Sequence, residues 1–267
     1  MAATTDAKAE GTPCWADVLL PDLEAGKRFY GELFGWTFAD SSETYGPYAT
    51  AFGEGLLVAG LVPKGDGRMP TAWGVYFAAA DVVALTARIE DAGGRVISGP
   101  TRVGSAGITA LVADPGGAVF GLWQARDRAG FERQGRPGSF AWAEVYTRAA
   151  DKEAVDAFYE TVFGYRTRDL DDPSVDYRVW SPRTAKEASD ETAIGGRSVI
   201  GPAFPAEMPA HFLVYFAVED CDATVADAVR LGGRVTEEPF DTPYGRIAVL
   251  ADNQGAVFAV LAEPKAA

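Results

Sequence analysis

His211 is the only histidine among 267 residues. A lone imidazole cannot supply a two-histidine metal site, and the sequence shows no Ser-His-Asp motif around it for nucleophilic catalysis. Basic residues are also short, with 24 Lys and Arg against 38 Asp and Glu and a net charge of −14. Phosphate binding needs clustered cations, so this balance argues against nucleic acid as a partner. The same acidity keeps a protein soluble, and it favours a cationic over an anionic small ligand. No phosphate loop and no strand-linked Gly-x-Gly-x-x-Gly occurs. No apolar run approaches membrane-spanning length, and the first residues lack the apolar core of a signal peptide. The expectation is a soluble cytoplasmic protein with no nucleic-acid and no membrane partner.

What the chain has is repetition. Val75-Tyr76-Phe77-Ala78 recurs as Val214-Tyr215-Phe216-Ala217, and Gly93-Gly94-Arg95-Val96 as Gly232-Gly233-Arg234-Val235. Gly117-Ala118-Val119-Phe120 recurs as Gly255-Ala256-Val257-Phe258, and Phe29-Tyr30 through Gly35 is echoed by Phe158-Tyr159 through Gly164. Val75 to Gly93 and Val214 to Gly232 each span 18 positions. Matching blocks in one order at nearly constant spacing indicate a duplicated domain. The reading is a flexible tail over residues 1–12, a first domain over 13–124, a charged glycine-rich linker over 125–138 and a second domain over 139–263. Cys14 and Cys221 occupy non-equivalent places in the two copies, which argues against a disulfide framework.

Each copy has the same internal grammar. Residues 15–20 alternate as a half-buried strand does. Asp22 caps a helix whose stripe is Phe29, Tyr30, Leu33 and Phe34, and Gly35 ends it. In the second copy Asp151 caps, Val155, Phe158, Tyr159, Val162 and Phe163 form the stripe, and Gly164 stops it. Short strands follow near 36–39, 48–52 and 56–62. The cycle then restarts with a strand at 74–79, a helix opened by Asp81 and closed by Gly93-Gly94, and strands near 95–97, 108–113 and 119–123. Each copy is therefore βαβββ-βαβββ, an α+β architecture.

Pro13-Cys14-Trp15-Ala16-Asp17, with Phe29-Tyr30 and Phe34-Gly35-Trp36, resembles the opening of a vicinal oxygen chelate domain. That superfamily comprises the glyoxalases, bleomycin-resistance proteins and extradiol dioxygenases. Asp114-Pro115-Gly116-Gly117-Ala118-Val119-Phe120 resembles its closing turn and last strand. The tandem form is similar to the mycobacterial culture-filtrate antigen type, often labelled "hydroxylase". The resemblance implies a bacterial protein, monomeric through its internal duplication or homodimeric. It also implies that paired βαβββ units curl a mostly antiparallel eight-stranded sheet into a U with a concave binding cleft. Fold alone does not settle function.

Active members of the superfamily hold a divalent metal through His, Gln and Glu side chains on four strands. Carried over residue by residue, the first-strand ligand falls on Trp15 and Trp142, and the fifth-strand ligand on Gly74 and Leu213. The eighth-strand ligand falls on Gly121 and Ala259. The fourth-strand position lies within 56–62, or near 193–196, and neither stretch offers a ligating side chain, with Glu191 just outside. Zinc or iron sites need three or four good donors. The expectation is no metal and no cofactor.

Side chains two apart on a strand share a face. Trp15 and Asp17, then Trp142, Glu144 and Tyr146, look into the implied clefts, as do Tyr76, His211 and Tyr215. Asp17, Glu144, Tyr76, Tyr215 and His211 are the candidate catalytic groups. A carboxylate among aromatics serves as a base or binds a cation. Trp15, Trp73, Tyr48, Trp142, Tyr146, Trp180, Tyr244 and Arg246 are the candidate ligand-binding residues, with Tyr45, Trp123, Tyr177 and Phe212 among the surrounding aromatics. Trp15 and Trp142 are expected as apolar platforms where the metal would stand, with space-filling as the alternative. Arg246, absent from copy one, gives copy two an anionic preference, and the second cleft is the more polar. The leading reading is metal-free binding of a small, partly aromatic molecule, for sequestration, resistance or carriage. The alternatives are a metal-independent enzyme of specialised metabolism with a cleft carboxylate as acid/base, and a metal-dependent glyoxalase or dioxygenase.

Overall fold

Three of the four α-helices among the described residues begin on an aspartate side chain. In the computed structural model, which describes residues 8–40, 47–172, 175–201, 204–205 and 207–264, Asp22 accepts from the Ala25 amide and Asp81 from those of Val83 and Ala84. Asp220 accepts from Ala223. Asp151 departs from expectation, since its own backbone is already helical and its side chain makes no capping bond. Gly35 and Gly164 end their helices in the left-handed conformation, with φ of 72° and 69°.

Copy one runs β1 (Pro13–Leu20), α1 (Leu23–Phe34), β2 (Thr37–Asp40), β3 (Ala49–Gly53), β4 (Leu56–Pro63), β5 (Ala72–Ala78), α2 (Val82–Asp91), β6 (Arg95–Val103), β7 (Gly107–Ala113) and β8 (Val119–Ala125). Copy two runs β9 (Ser139–Thr147), α3 (Lys152–Phe163), β10 (Arg166–Asp169), β11 (Tyr177–Ser181), β12 (Gly195–Val199), β13 (His211–Val218), α4 (Cys221–Arg230), β14 (Arg234–Thr242), β15 (Gly245–Ala251) and β16 (Val257–Ala262). The strands form two eight-stranded mixed sheets, ordered β2-β3-β4-β1-β5-β8-β7-β6 and β10-β11-β12-β9-β13-β16-β15-β14. Hairpins such as β6–β7 are antiparallel, while β1–β4, β5–β8, β9–β12 and β13–β16 are parallel. None of the described helices is long and apolar enough to cross a membrane.

The compact units do not follow the sequence copies. One contains Val75–Gly130 and Ala143–Phe212 with the described residues up to Cys14; the other contains Trp15–Gly74, Phe131–Trp142 and the chain from Leu213. Each unit thus joins a half of copy one to a half of copy two. In the second unit Trp73 packs 4.8 Å from Phe216 and 5.3 Å from Tyr30, and the Tyr30 hydroxyl donates to Asp252 at 2.8 Å. In the first unit Trp180 lies 4.4 Å from Tyr159, and the Tyr159 hydroxyl donates to Asp114 at 3.1 Å. The same helix tyrosine, at the repeat-equivalent position, grips the turn aspartate of the other copy in each case.

The stretch read as a linker carries no helix or strand over 126–138, yet it is pinned. Phe131 stacks 4.8 Å from Phe140, the Glu132 carboxylate accepts from the Leu57 amide, and Arg133 pairs with Glu54 at 2.5 Å. The tail expected to be flexible is held from Glu10 onward, because Glu10 pairs with Arg88 at 2.7 Å and the Gly11 amide donates to Ala78. Residues 1–7 and Tyr45 lie outside the described residues.

Candidate functional site

The strand register locates the fourth-strand ligand position that the sequence left as a range. On β5 and β8, Tyr76 pairs with Gly121; on β1 and β4, Asp17 pairs with Gly60. On β9 and β12, Glu144 pairs with Gly196, and on β13 and β16, Tyr215 pairs with Ala259. Asp17, Tyr76, Glu144 and Tyr215 each stand two residues past a ligand-equivalent position. The equivalence of the four pairs makes Gly60 and Gly196 the counterparts of Gly121 and Ala259. The eight ligand-equivalent residues are then Trp15, Gly60, Gly74, Gly121, Trp142, Gly196, Leu213 and Ala259.

Three of these glycines have a tyrosine lying in their side-chain space. A Cβ at Gly60 would stand 1.9 Å from the Tyr48 hydroxyl, one at Gly121 2.0 Å from the Tyr76 ring and one at Gly196 2.3 Å from the Tyr177 hydroxyl. A glutamate at any of the three would collide with the ring already there, so glycine and tyrosine are a matched exchange. The residues present do not fit a divalent metal, because none of the eight carries a donor. Among the described residues no group of three or more His, Cys, Asp and Glu side chains is placed to hold one.

Trp15 is built into this exchange. It is 7% exposed, its ring centroid is 5.5 Å from Phe131, and its indole N–H donates to the Tyr48 hydroxyl at 2.8 Å. That leaves little surface for a ligand, and space-filling is the role the packing supports. Tyr48→Phe is expected to cost about 1–2 kcal/mol, since it strands a buried indole donor. Urea unfolding checks this, and an unchanged midpoint would show that the bond contributes nothing. Trp142 is half-buried. On the same face as Trp15, Asp17 sets its carboxylate 3.7 Å from where a Gly74 Cβ would be.

Two tryptophans expected to line a pocket belong to the cores instead. The Trp73 indole donates to the Tyr30 hydroxyl at 2.9 Å, and Trp180 is 1% exposed between Tyr159 and Tyr165. Each sits one strand position out of phase with the ligand-equivalent face, so the pleat turns it inward. Phe212 is buried for the same reason beside Phe77 and Phe120. Trp123 spends its indole N–H on the Arg128 carbonyl.

Arg246 also corrects an expectation. Its guanidinium grips Asp222 at 2.8 and 3.0 Å and Asp241 at 3.0 Å. These two carboxylates hold it above the ordinary arginine value. It lines a cavity of about 320 Å³ together with Asp220, Cys221 and Glu263, which shares no residue with the ligand-equivalent faces. An anion would have to displace two carboxylates in an acidic recess, so the arginine does not confer anionic preference. Tyr244 beside it is exposed.

The polar groups gather on β9 and the start of β13. Glu144 is 5% exposed. Two residues on along the same face, Tyr146 stacks on His211 with ring centroids 5.1 Å apart and planes 5° from parallel, and Phe204 meets Tyr146 edge-on at 5.8 Å. Burial lowers His211 below the ordinary histidine value, with the Pro209 carbonyl bond pulling the other way, so the ring is neutral near pH 7. Tyr215 on β13 is buried and Tyr76 half-buried.

Sequence reasoning missed a cluster behind this face. Arg197, 1% exposed, forks onto Asp156 with two bonds of 3.0 Å and reaches Asp176 at 2.6 Å. Arg178 and Lys152 extend the network to Asp156 at 3.2 Å and Asp176 at 2.7 Å. The lack of a copy-one counterpart was the available signal: β4 has Leu61 after Gly60 where β12 has Arg197 after Gly196.

Comparison with known proteins agrees with this geometry. The family model described as Glyoxalase/Bleomycin resistance protein/Dioxygenase superfamily matches residues 15–122, and one described as Glyoxalase-like domain matches residues 144–261. The chain is 40% identical over 268 residues to the anthracycline biosynthesis protein DnrV of Streptomyces peucetius, covering 95% of this chain and 94% of that one. It is 38% identical over 259 residues to CFP32 of Mycobacterium bovis, which carries a glyoxylase label, covering 94% and 95% of the two chains. Among solved structures, the Mn(II)-bound glyoxalase of Novosphingobium aromaticivorans shares the fold at a TM-score of 0.65 and 16% identity, over 96% of this chain and 83% of that one. The dioxygenase LapB of Pseudomonas sp. KL28 does so at 0.63 and 13%, over 96% and 95%. Repeated βαβββ units, paired eight-stranded sheets and these matches together make the chain a tandem two-domain member of the glyoxalase/bleomycin resistance protein/dioxygenase superfamily.

Proposed function

We propose that this protein works without a metal and binds a small, planar, partly aromatic molecule, with the β9–β13 face of the second copy as its polar recognition surface. The observation that carries this reading is that Tyr48, Tyr76 and Tyr177 occupy the side-chain space of Gly60, Gly121 and Gly196. A site that had merely lost a metal would keep some donors; here the side-chain space is taken by aromatic rings. Aromatic walls with a few convergent polar groups suit a flat organic ligand. Relatives named for anthracycline biosynthesis add support, since anthracyclines are planar and polycyclic.

The test is twofold. Elemental analysis of purified protein is expected to return no stoichiometric Zn, Fe, Ni or Mn. Calorimetry with alizarin, a planar dihydroxyanthraquinone, is expected to give saturable binding that Glu144→Ala weakens more than Asp17→Ala. One equivalent of metal whose removal abolishes binding would sink the metal-free reading. Two sites equally affected by the two substitutions would sink the preference for copy two.

The burial of Glu144 favours a second reading, metal-independent acid/base chemistry on the same face. It predicts turnover of a bound substrate that Glu144→Gln abolishes while leaving binding intact.

A further inference from the structure

The lone histidine is held in one tautomer. His211 Nδ1 lies 2.9 Å from the Pro209 carbonyl oxygen, which can only accept, so Nδ1 carries the hydrogen. In the neutral ring the other nitrogen, Nε2, is then a lone-pair acceptor. The ring plane is set as well, by the near-parallel stack on Tyr146. The segment that supplies the Pro209 carbonyl is tied to the end of β9, because the Arg148 guanidinium takes the carbonyls of Pro205 and Met208. Glu144 lies on the same face of β9 as Tyr146, two residues before it. A fixed imidazole acceptor on β13 therefore stands against Tyr146 of β9.

We infer that His211 Nε2 is a ligand contact, and that this face selects planar molecules carrying a free hydroxyl or amino donor over counterparts whose donor is capped. The inference rests on the planar-ligand reading above and names the ligand chemistry it left open.

The experiment titrates the full chain with alizarin and with alizarin dimethyl ether, following tryptophan quenching and calorimetry. Wild type is expected to bind alizarin roughly tenfold more tightly than the ether, the size of one hydrogen bond. His211→Phe keeps an aromatic ring against Tyr146 and removes the acceptor. It should weaken alizarin roughly tenfold and leave the ether unchanged. His211→Gln, whose side-chain carbonyl accepts, should restore part of the preference, and it serves as the test should the Phe variant fail to fold. Equal binding of the two probes by wild type would overturn the inference while leaving the planar-ligand reading in place. So would a preference that survives in His211→Phe, or a parallel loss for both probes. Failure of wild type to bind either probe overturns that reading and the inference with it.

Discussion

Asp156→Ala is expected to destabilise the protein by about 3–5 kcal/mol, the range for breaking a buried ion pair from one side. Arg197 is 1% exposed and Asp156 8%. Burial pulls against the guanidinium charge, yet its bonds to Asp156 and Asp176 outweigh this and hold it above the ordinary arginine value. Removing Asp156 deletes two of those bonds and leaves a cation in the interior with half-exposed Asp176 as its charged partner among the described residues. Losing both partners together should cost far less, because no charge is then stranded. Copy one already shows the apolar solution, with fully buried Leu61 at the position equivalent to Arg197. Urea unfolding of Asp156→Ala and of the double variant Arg197→Leu/Asp156→Leu checks both claims. A single variant within about 1 kcal/mol of wild type, the ordinary effect of a substitution, would sink the account. A double variant less stable than the single one would sink it too.

The second large effect is a pH dependence. Burial raises the Asp114 carboxyl from 3.8 to about 6, although the Ala118 amide, the Tyr159 hydroxyl and the Gly117 and Gly116 amides all favour its charged form. A group whose folded value lies above its unfolded one contributes stability that is full below the unfolded value and is lost as pH rises through the folded one. Between about pH 4 and pH 7 this carboxyl should therefore withdraw about 3 kcal/mol of stability, the free energy that separates the two values. Asp114→Asn cannot ionise and should lack that slope. The net charge of −14 adds its own self-repulsion as pH rises, so the readout is wild type minus Asp114→Asn at each pH. Parallel stability curves for the two proteins would overturn the prediction.

The duplication, the βαβββ grammar and the bare ligand positions are all local properties of the chain. Periodic apolar residues and helix-stopping glycines act within a few positions, and repeat spacing is visible without folding. That is why the stripe Val155, Phe158, Tyr159, Val162 and Phe163 is legible in the sequence and is buried in the structure. It is also why the ligand positions that the family resemblance implies could be carried onto Trp15 and Trp142 by their spacing from the helix caps. The strand expected near 95–97 runs on to Val103, and its exposed continuation carries Gly99 and Pro100, which hide the alternation.

Pairing between distant segments was decided only in three dimensions. Trp73 and Trp180 look like pocket residues among the chain's aromatics, but the pleat and the packing of α1 and α3 assign them to cores. Arg246 reads as a free cation until Asp222, 24 residues away, is found gripping it. Gly60 and Gly196 became ligand-equivalent positions through register; of the tyrosines over them, Tyr48 was expected as a ligand-binding residue and Tyr177 only as a surrounding aromatic. The exchange of halves between the two compact units was invisible for the same reason. Sequence by itself determined the repeat, the family grammar and the residue types at the ligand-equivalent positions, since each is written in residue type and spacing. Tertiary structure alone decided which aromatic became core, which charge found a partner and which ring fills the side-chain space of Gly60, Gly121 and Gly196, because these depend on contacts between residues far apart in the chain.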